Sequence, residues 1–409
     1  MVLEDFARQI YRCARVGWCK RPVFKDRGID KICPLYEYPG HYWESFSMRG
    51  ILSIAQALLE GHITFDEKIA EVIYRCNLCG GCHETCVIHF PVYMKVSEID
   101  EIDHIRIVEE LRRICVEEGL LRIPAHRNAL ESLLRYGNPF GVARREERLK
   151  WTEELDFQIK RLPNQRAEVL LYTGSIYALE PLVRDALKAV ARVLCMANVD
   201  FGILENELDD GLYAAQLGEI GLFESLAEQN IKTFNELGVK VIVTPDPHAY
   251  NAFKRYYPRV GNIEAEVFHI AEYVDMLVET GKLNLGRLPE ETVTYHDPCN
   301  LGRMCGVYDA PRNIIGAIKG LNFQEMKRSK NYAWCCGAGG GVMMAFPDLM
   351  AWTARERIKD VESIGATTLI TACPWCEYAF KTSLESAGSP IQVKNIMELV
   401  GESMRQGLG

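Results

Sequence analysis

Fifteen cysteines stand in this 409-residue chain, and they are clustered. Seven fall between Cys13 and Cys86, six between Cys299 and Cys376, and only Cys115 and Cys195 lie between the two groups. The number is odd, and the start (Met1-Val-Leu-Glu-Asp-Phe-Ala-Arg) is not a basic stretch followed by an apolar one. A disulfide framework is therefore not expected, and the chain is expected in the reducing cytoplasm. Thiols grouped this way read as metal ligands. Charged residues make up 25% of the chain and apolar ones 48%, enough to bury sizeable cores, so disorder is excluded as the main state. At about 100–200 residues per domain the length implies roughly two to four domains. No run approaches the ~18 apolar residues of a membrane-spanning helix. A net charge of −9 argues against nucleic acid as a partner, because phosphate neutralisation needs a basic face.

The run Cys76-Asn-Leu-Cys79-Gly-Gly-Cys82-His-Glu-Thr-Cys86 has the spacing C-x2-C-x2-C-x3-C. Three thiolates on one tight loop wrap one face of a cubane [4Fe–4S] cluster, and the fourth reaches a neighbouring cluster in two-cluster ferredoxins. Zinc is the plain alternative, but zinc sites usually pair two well-separated knuckles. A partner run is expected upstream. Cys13, Cys19 and Cys33-Pro34 fit it, except that Val16 stands where the second cysteine belongs. Crossed ligation assigns Cys33, Cys76, Cys79 and Cys82 to one complete cluster and leaves Cys13, Cys19 and Cys86 for the other. Valine cannot ligate iron. The second site is thus a three-iron cluster, a four-iron cluster with a non-cysteine ligand, or no cluster at all, with Cys13 and Cys19 unligated.

In the C-terminal set, 35 residues separate Cys299 from Cys335-Cys336-Gly337, and 36 more precede Cys373-Pro-Trp-Cys376. Adjacent thiolates do not easily take successive corners of a compact cubane, and five ligands exceed the four of one cube. Each cysteine falls at an expected strand end or in the glycine-rich run Cys335–Gly341, where ligands gather in α/β folds and where glycines let backbone amides approach cluster sulfurs. A structural zinc knuckle is the alternative. Cys305 lies outside the spacing and reads as a bystander.

From Glu168 onward the chain repeats itself. Glu168–Thr173 matches Thr292–His296, and Lys240–Thr244 matches Thr367–Thr371, each as a buried strand. Charged helices ending in glycine, Glu228–Gly238 and Glu356–Gly365, precede the second pair. Each half closes with a strand and helix, Val267–Thr280 and Ile391–Gly401. Strands alternating with helices imply parallel α/β units. In the first copy Ser175, Asp209, Asp210 and Asp246 stand at the cysteine positions, and hard carboxylates do not hold a sulfide cluster. A relic filled with hydrogen bonds is expected there, with a mononuclear metal held by the aspartates and His248 as the alternative. Upstream, Ser47–Gly61 and roughly 101–119 read as amphipathic helices, with Cys115 in the core, and Tyr136–Arg148 reads as a linker over a surface. Cys195 reads as core. The expected class is multidomain α+β: a helical module over 1–135, a linker over 136–165, and two α/β domains over 166–288 and 289–409.

These motifs carry a specific resemblance. Cys-x35-Cys-Cys-x36-Cys-x2-Cys, in the settings HDPCNLGR, YDAPRNIIGAIKGL, AWCCGAGGGVMMAFPDL and TACPWCEYAF, resembles the CCG motif of the heterodisulfide reductase family. Residues 13–86, with the Ser47-Met-Arg-Gly50 helix, are similar to the two-cluster ferredoxin module of its catalytic subunit. The D-type subunit of the membrane-linked enzyme, with the B and C types fused, is the closest architecture. The resemblance implies tandem CCG domains, the first degenerate, and a noncubane [4Fe–4S] cluster on Cys299, Cys335, Cys336, Cys373 and Cys376 that cleaves a disulfide. It also implies other redox subunits as partners, a flavoprotein or a membrane cytochrome b, the latter holding the chain at the inner face of the membrane. Iron–sulfur subunits of FAD-linked glycolate or D-lactate dehydrogenases share the layout. On that alternative the chain transfers electrons and the hydroxy acid is oxidised elsewhere.

Overall fold

Nine strands among the described residues form two sheets, both wholly parallel. The structure is a computed structural model that describes residues 2–24, 28–89, 101–141 and 147–406. Strands β1 (Lys160–Leu162), β2 (Val169–Leu171), β3 (Phe201–Leu204), β4 (Val241–Thr244) and β5 (Glu266–His269) lie in the order β1-β3-β2-β4-β5. Strands β6 (Arg287–Tyr295), β7 (Lys319–Phe323), β8 (Thr368–Thr371) and β9 (Gln392–Asn395) lie in the order β7-β6-β8-β9. With the edge strand β1 set aside, the two sheets have one connectivity, so the repeat is topological as well as sequential. In register, Leu170 lies beside Ile242 and Thr294 beside Leu369. Strands β2 and β8 are buried throughout, as parallel strands covered by helices on both faces must be.

Local chemistry explains most of these elements, and the departures from expectation have causes. Helix Pro347–Ser363 starts a full two turns before the expected Glu356, because Pro347 presets the first helical position and Asp348 complements the helix dipole. Its counterpart Ile220–Leu237 likewise starts before Glu228. Strands β1, β3 and β7 carry polar residues or glycine (Lys160 and Arg161; Gly202; Lys319, Gly320 and Asn322) that break the apolar run by which the other strands stand out.

Contacts gather the chain into two compact units. The first holds residues up to Arg127 together with Tyr213–Ile220 and Lys327–Asp360. It is helical. Helices Met48–Leu59, Glu67–Tyr74 and His104–Glu117 are each opened by a side-chain cap: Ser47, Asp66 and Asp103 accept from the backbone N–H of Gly50, Ile69 and Arg106 at 3.2, 2.8 and 3.1 Å. Ile51, Leu52, Ala55, Ile73, Ile107, Leu111 and Cys115 form its core. Gly50 is obligatory, since a Cβ there would sit 1.9 Å from the Glu44 carbonyl oxygen.

The second unit holds Asn128–Leu212, Gly221–Met326 and the chain from Val361 onward, and both sheets belong to it. Helices Arg184–Met196 and Ile396–Gln406 pack together, and Val190, Val193 and Leu194 of the first and Met397 and Val400 of the second are buried. Cys195 is not core: it is half-buried and lines a groove with Lys188, Arg192 and Glu402, because the last turn of its helix faces charged side chains. Of the expected linker, residues 142–146 lie outside the described residues. Its described part is not all surface, for Arg148 and Trp151 are buried and β1 joins the sheet. Among the described residues no helix is long and apolar enough to cross a membrane.

Candidate metal centres

In the first unit, Cys76 and Cys79 lie on the loop between helix Glu67–Tyr74 and the short helix Gly81–Glu84, Cys82 lies in that short helix, and Cys33 opens helix Pro34–Glu37. Left-handed backbone at Leu78 (φ 51°) and Gly80 (φ 73°) winds the loop. A Cβ on Gly81 would meet Ile32 at 2.9 Å, so the absence of one lets the two segments close. The four cysteines line one cavity, walled by Leu35, Met48, Ile51 and Val108. Burial pushes the Cys33, Cys76 and Cys82 thiols up, and neighbouring cysteines push each of them further. Four thiols converging in an apolar cavity, each making its neighbours harder to ionise, fit a cationic iron–sulfur core, which would relieve that repulsion.

Cys13, Cys19 and Cys86 form a second group. Burial pushes Cys19 up to about 12, with Cys13 and Cys86 adding to the rise, and pushes Cys86 up to about 11. Between Cys13 and Cys19, Arg15 takes a left-handed conformation (φ 57°) and its guanidinium donates to the Arg49 carbonyl at 3.1 Å and to Ser53 and Gln56. Arg49 returns a bond to the Arg15 carbonyl at 2.7 Å. Val16, at the tip of this clamped loop, is 54% exposed.

A third feature had no sequence signal. The ring nitrogens of His83, His89 and His104 lie within 4.8 Å of one another. Burial pushes His89 and His104 down, so both are neutral near pH 7. Both nitrogens of His89 serve the backbone: Nδ1 donates to the His83 carbonyl at 2.9 Å and Nε2 accepts from Ile102 N–H at 3.1 Å. Through His83 and His89 the trio ties loop backbone together.

Cys335 and Cys336 are buried in the same unit. The glycines after them are a packing device. A Cβ on Gly339 would meet Asn77 O at 2.7 Å, one on Gly340 would meet Cys76 O at 2.5 Å, and one on Gly341 would meet His126 Nε2 at 2.8 Å. The loop backbone thus lies directly on the Cys76–Asn77 backbone, and Asn77 Nδ2 donates to Gly337 O at 2.7 Å. The Cys335 thiol shares hydrogen bonds with Cys336 and Cys79, which push it up together with burial.

Cys299, Cys373 and Cys376 belong to the second unit. Cys299 follows β6. Cys373 follows β8 and precedes helix Pro374–Ala387, whose first turn holds Cys376. Strands β6 and β8 are neighbours, so all three thiols leave the carboxyl edge of one parallel sheet, where α/β folds place ligands. Cys305 donates to Asn251 at 3.9 Å, and burial pushes its thiol up to about 12.

The matching edge of the first sheet is closed by hydrogen bonds. Arg148 pairs with Glu207 at 2.7 Å and donates to Ser175 at 3.0 Å, Ser175 donates to Asp209 at 2.6 Å, and Asp210 accepts from Leu212 N–H at 2.8 Å. Asp246 accepts from His248 N–H at 2.9 Å and from Trp375 Nε1 at 3.3 Å. Trp375 lies between Cys373 and Cys376, and the His248 ring stacks on it at 4.9 Å. Burial pushes Asp246 up to about 7 and raises Glu207, Asp209 and Asp210 as well.

A family model described as the CCG cysteine-rich domain matches residues 177–254 and 293–381. The D-type subunit of the dihydromethanophenazine:CoB–CoM heterodisulfide reductase of Methanosarcina barkeri is 30% identical over 408 residues, covering 96% of this chain and 93% of its own. The probable iron-sulfur-binding oxidoreductase FadF of Bacillus subtilis is 35% identical over 344 residues, which are 82% of this chain and 47% of that protein. The EtfAB:quinone oxidoreductase of Syntrophomonas wolfei is 32% identical over 361 residues, covering 85% and 48%. The chain thus spans about half the length of the latter two.

Proposed function

The chain belongs to the family of the D-type heterodisulfide reductase subunits, the CCG-domain iron–sulfur oxidoreductases, and from that premise we propose that it reduces a disulfide with electrons received from a redox partner. The observation that carries this reading is the end-to-end match to the Methanosarcina barkeri protein, together with the intact set Cys299, Cys335, Cys336, Cys373 and Cys376. On this proposal those five hold a noncubane [4Fe–4S] cluster, Cys33, Cys76, Cys79 and Cys82 hold a cubane, and Cys13, Cys19 and Cys86 hold a cubane or three-iron cluster. The five-ligand set rests on the motif. Residues 1–135 would be the ferredoxin-type module, with 166–288 and 289–409 as tandem CCG domains.

Bound iron–sulfur clusters supply single-electron storage, so that a disulfide takes two electrons and two protons to give two thiols. The chain's own residues supply the geometry. The glycine run and Asn77 hold the Cys335–Cys336 loop against the Cys76–Cys82 loop, and the Cys79–Cys335 thiol contact makes the path between them short. Asp246 and His248 fix the Trp375 ring, and with it the turn from Cys373 to Cys376. The electron donor is proposed to be a flavoprotein or a membrane cytochrome b.

A second reading, an electron-transfer subunit serving a flavoprotein dehydrogenase, is favoured by the matches to FadF and to the EtfAB:quinone oxidoreductase. One experiment separates the two. Viologen-linked reduction of the CoB–CoM heterodisulfide and of glutathione disulfide is measured on wild type, Cys335→Ser and Cys336→Ser. We expect both variants to lose activity at least about 100-fold, because a hydroxyl is a harder and far less acidic ligand than a thiol, while the cubane EPR signals persist. Undiminished activity in both variants, or none in the wild type, would transfer the assignment to the electron-transfer reading.

A further inference from the structure

Arg112 is 0% exposed, and its guanidinium is surrounded by backbone. Nε and Nη2 donate to Ile73 O at 3.3 and 3.0 Å, Nη2 also to Cys76 O at 2.7 Å, and Nη1 to Gln216 O at 2.8 Å and Gly340 O at 2.9 Å. None of these acceptors is a carboxylate. Burying a guanidinium is costly unless an anion compensates it. Among the described residues the other buried arginines follow that rule: Arg148 pairs with Glu207, and Arg328 and Arg357 with Asp360. Burial lowers the pKa of Arg112, and the ionisable group that most opposes that shift is the Cys76 thiol, ahead of Tyr74, Glu109 and Cys115. Its position is also structural. Gly218, at the end of helix Leu212–Leu217, packs so closely that a Cβ would lie 2.5 Å from the Arg112 carbonyl, and Tyr74 Oη bonds to Leu217 O at 2.9 Å.

We propose that Arg112 is the fixed cation that raises the reduction potential of the cluster held by Cys33, Cys76, Cys79 and Cys82, so that this cluster accepts an electron on its way to the Cys335–Cys336 loop. The inference rests on the ligand assignment proposed above. Four thiolates around an iron–sulfide core carry net negative charge, and reduction adds one more unit. A cation held beside Cys76 in a low dielectric stabilises the reduced state more than the oxidised one. Burial keeps that field from being screened by salt. Arg112 itself neither gains nor loses a proton or an electron. The electron comes singly from the redox partner and leaves singly toward the disulfide. An arginine suits the task because it stays charged when desolvated, and because its planar fork ties the Cys76 loop, the Gly340 loop and helix Leu212–Leu217 to one point.

The test is an anaerobic redox titration of the cubane EPR signal in the holoprotein, with melting temperature and iron content alongside. In Arg112→Met the midpoint is expected to move to more negative potential. In Arg112→Lys the charge stays and the midpoint moves far less, while the melting temperature falls because an ammonium cannot span four carbonyls. Glu109→Gln, which removes a nearby negative charge, is expected to move the midpoint the other way. A wild-type protein without a cubane signal would overturn the ligand assignment and this inference with it. A normal signal whose midpoint is unmoved in Arg112→Met would overturn the inference alone. Should Arg112→Met lose its cluster, Glu109→Gln decides, and an unshifted midpoint there overturns the proposal.

Discussion

Asp246 shows how a lost ligand position can acquire another role. It stands in the first repeat where the second keeps Cys373, and it now accepts from Trp375 Nε1, one residue from Cys376 and two from Cys373. Burial holds its carboxyl up to about 7, against 3.8 for the unperturbed group. A raised carboxyl pKa means that the folded state keeps a proton the unfolded chain has released. Its contribution to stability is therefore complete below pH ~4 and is lost as pH rises through about 7, at about 1.4 kcal/mol per pK unit. Burial shifts Glu207, Asp209 and Asp210 in the same direction, so they act in the same sense. We expect the wild-type melting temperature to fall between pH 5.5 and pH 8, and Asp246→Asn, which carries no titrating proton, to fall less steeply with unchanged iron content. Parallel anaerobic melts across that range check this, and equal slopes would count against it. The carboxylates were readable from sequence as replacements for thiols. Their link to Trp375 was not, because hydrogen bonding between residues 129 positions apart leaves no local pattern.

Among the elements, the loop Gly337–Gly341 is held by close backbone approaches. Glycine there was legible as a sign of close approach, and sequence pointed to cluster sulfurs as what is approached. The structure adds a second surface, the carbonyls of Cys76 and Asn77 and the ring of His126. Gly340→Ala would place a methyl group 2.5 Å from Cys76 O at φ 62°, so strain and overpacking combine to roughly 2–4 kcal/mol. Gly365→Ala is the control: it has a similar φ of 68° but no atom within 4 Å of the new methyl group, and is expected to cost only the left-handed strain, about 1 kcal/mol. Chemical denaturation of both variants, with iron analysis, tests the difference. Gly340→Ala should also lose iron from the residue 13–86 sites, and equal costs would show that the loop yields.

At the scale of the whole molecule, the cysteines fall into sets that differ in completeness. One group of four shares a cavity, one group has only three, with the exposed Val16 between Cys13 and Cys19, and the C-terminal five are divided between the two compact units. Cluster counting then gives about eight to twelve irons per chain after anaerobic purification, with zinc at trace level. Eight corresponds to an empty Cys13, Cys19 and Cys86 site, and eleven to a three-iron cluster there. Metal analysis with EPR of the oxidised protein distinguishes these, and stoichiometric zinc with fewer than four irons would refute the iron–sulfur assignment.

Ligand type, motif spacing and the α/β repeat were fixed by the order of residues, because thiolate softness and strand–helix periodicity are local properties. The matched pairs at Glu168 and Thr292, and at Lys240 and Thr367, were visible for that reason, and the sheets that contain them share one strand order. Tertiary structure alone decided that Cys335 and the glycines after it pack on the Cys76 loop some 260 residues earlier, that Arg148 plugs the degenerate copy, and that Arg112 joins three separate segments. The physical reason is common to all three. These contacts run through backbone carbonyls, buried ion pairs and missing Cβ atoms, and every residue carries a carbonyl, so nothing in the order of the side chains marks which one a distant guanidinium will find.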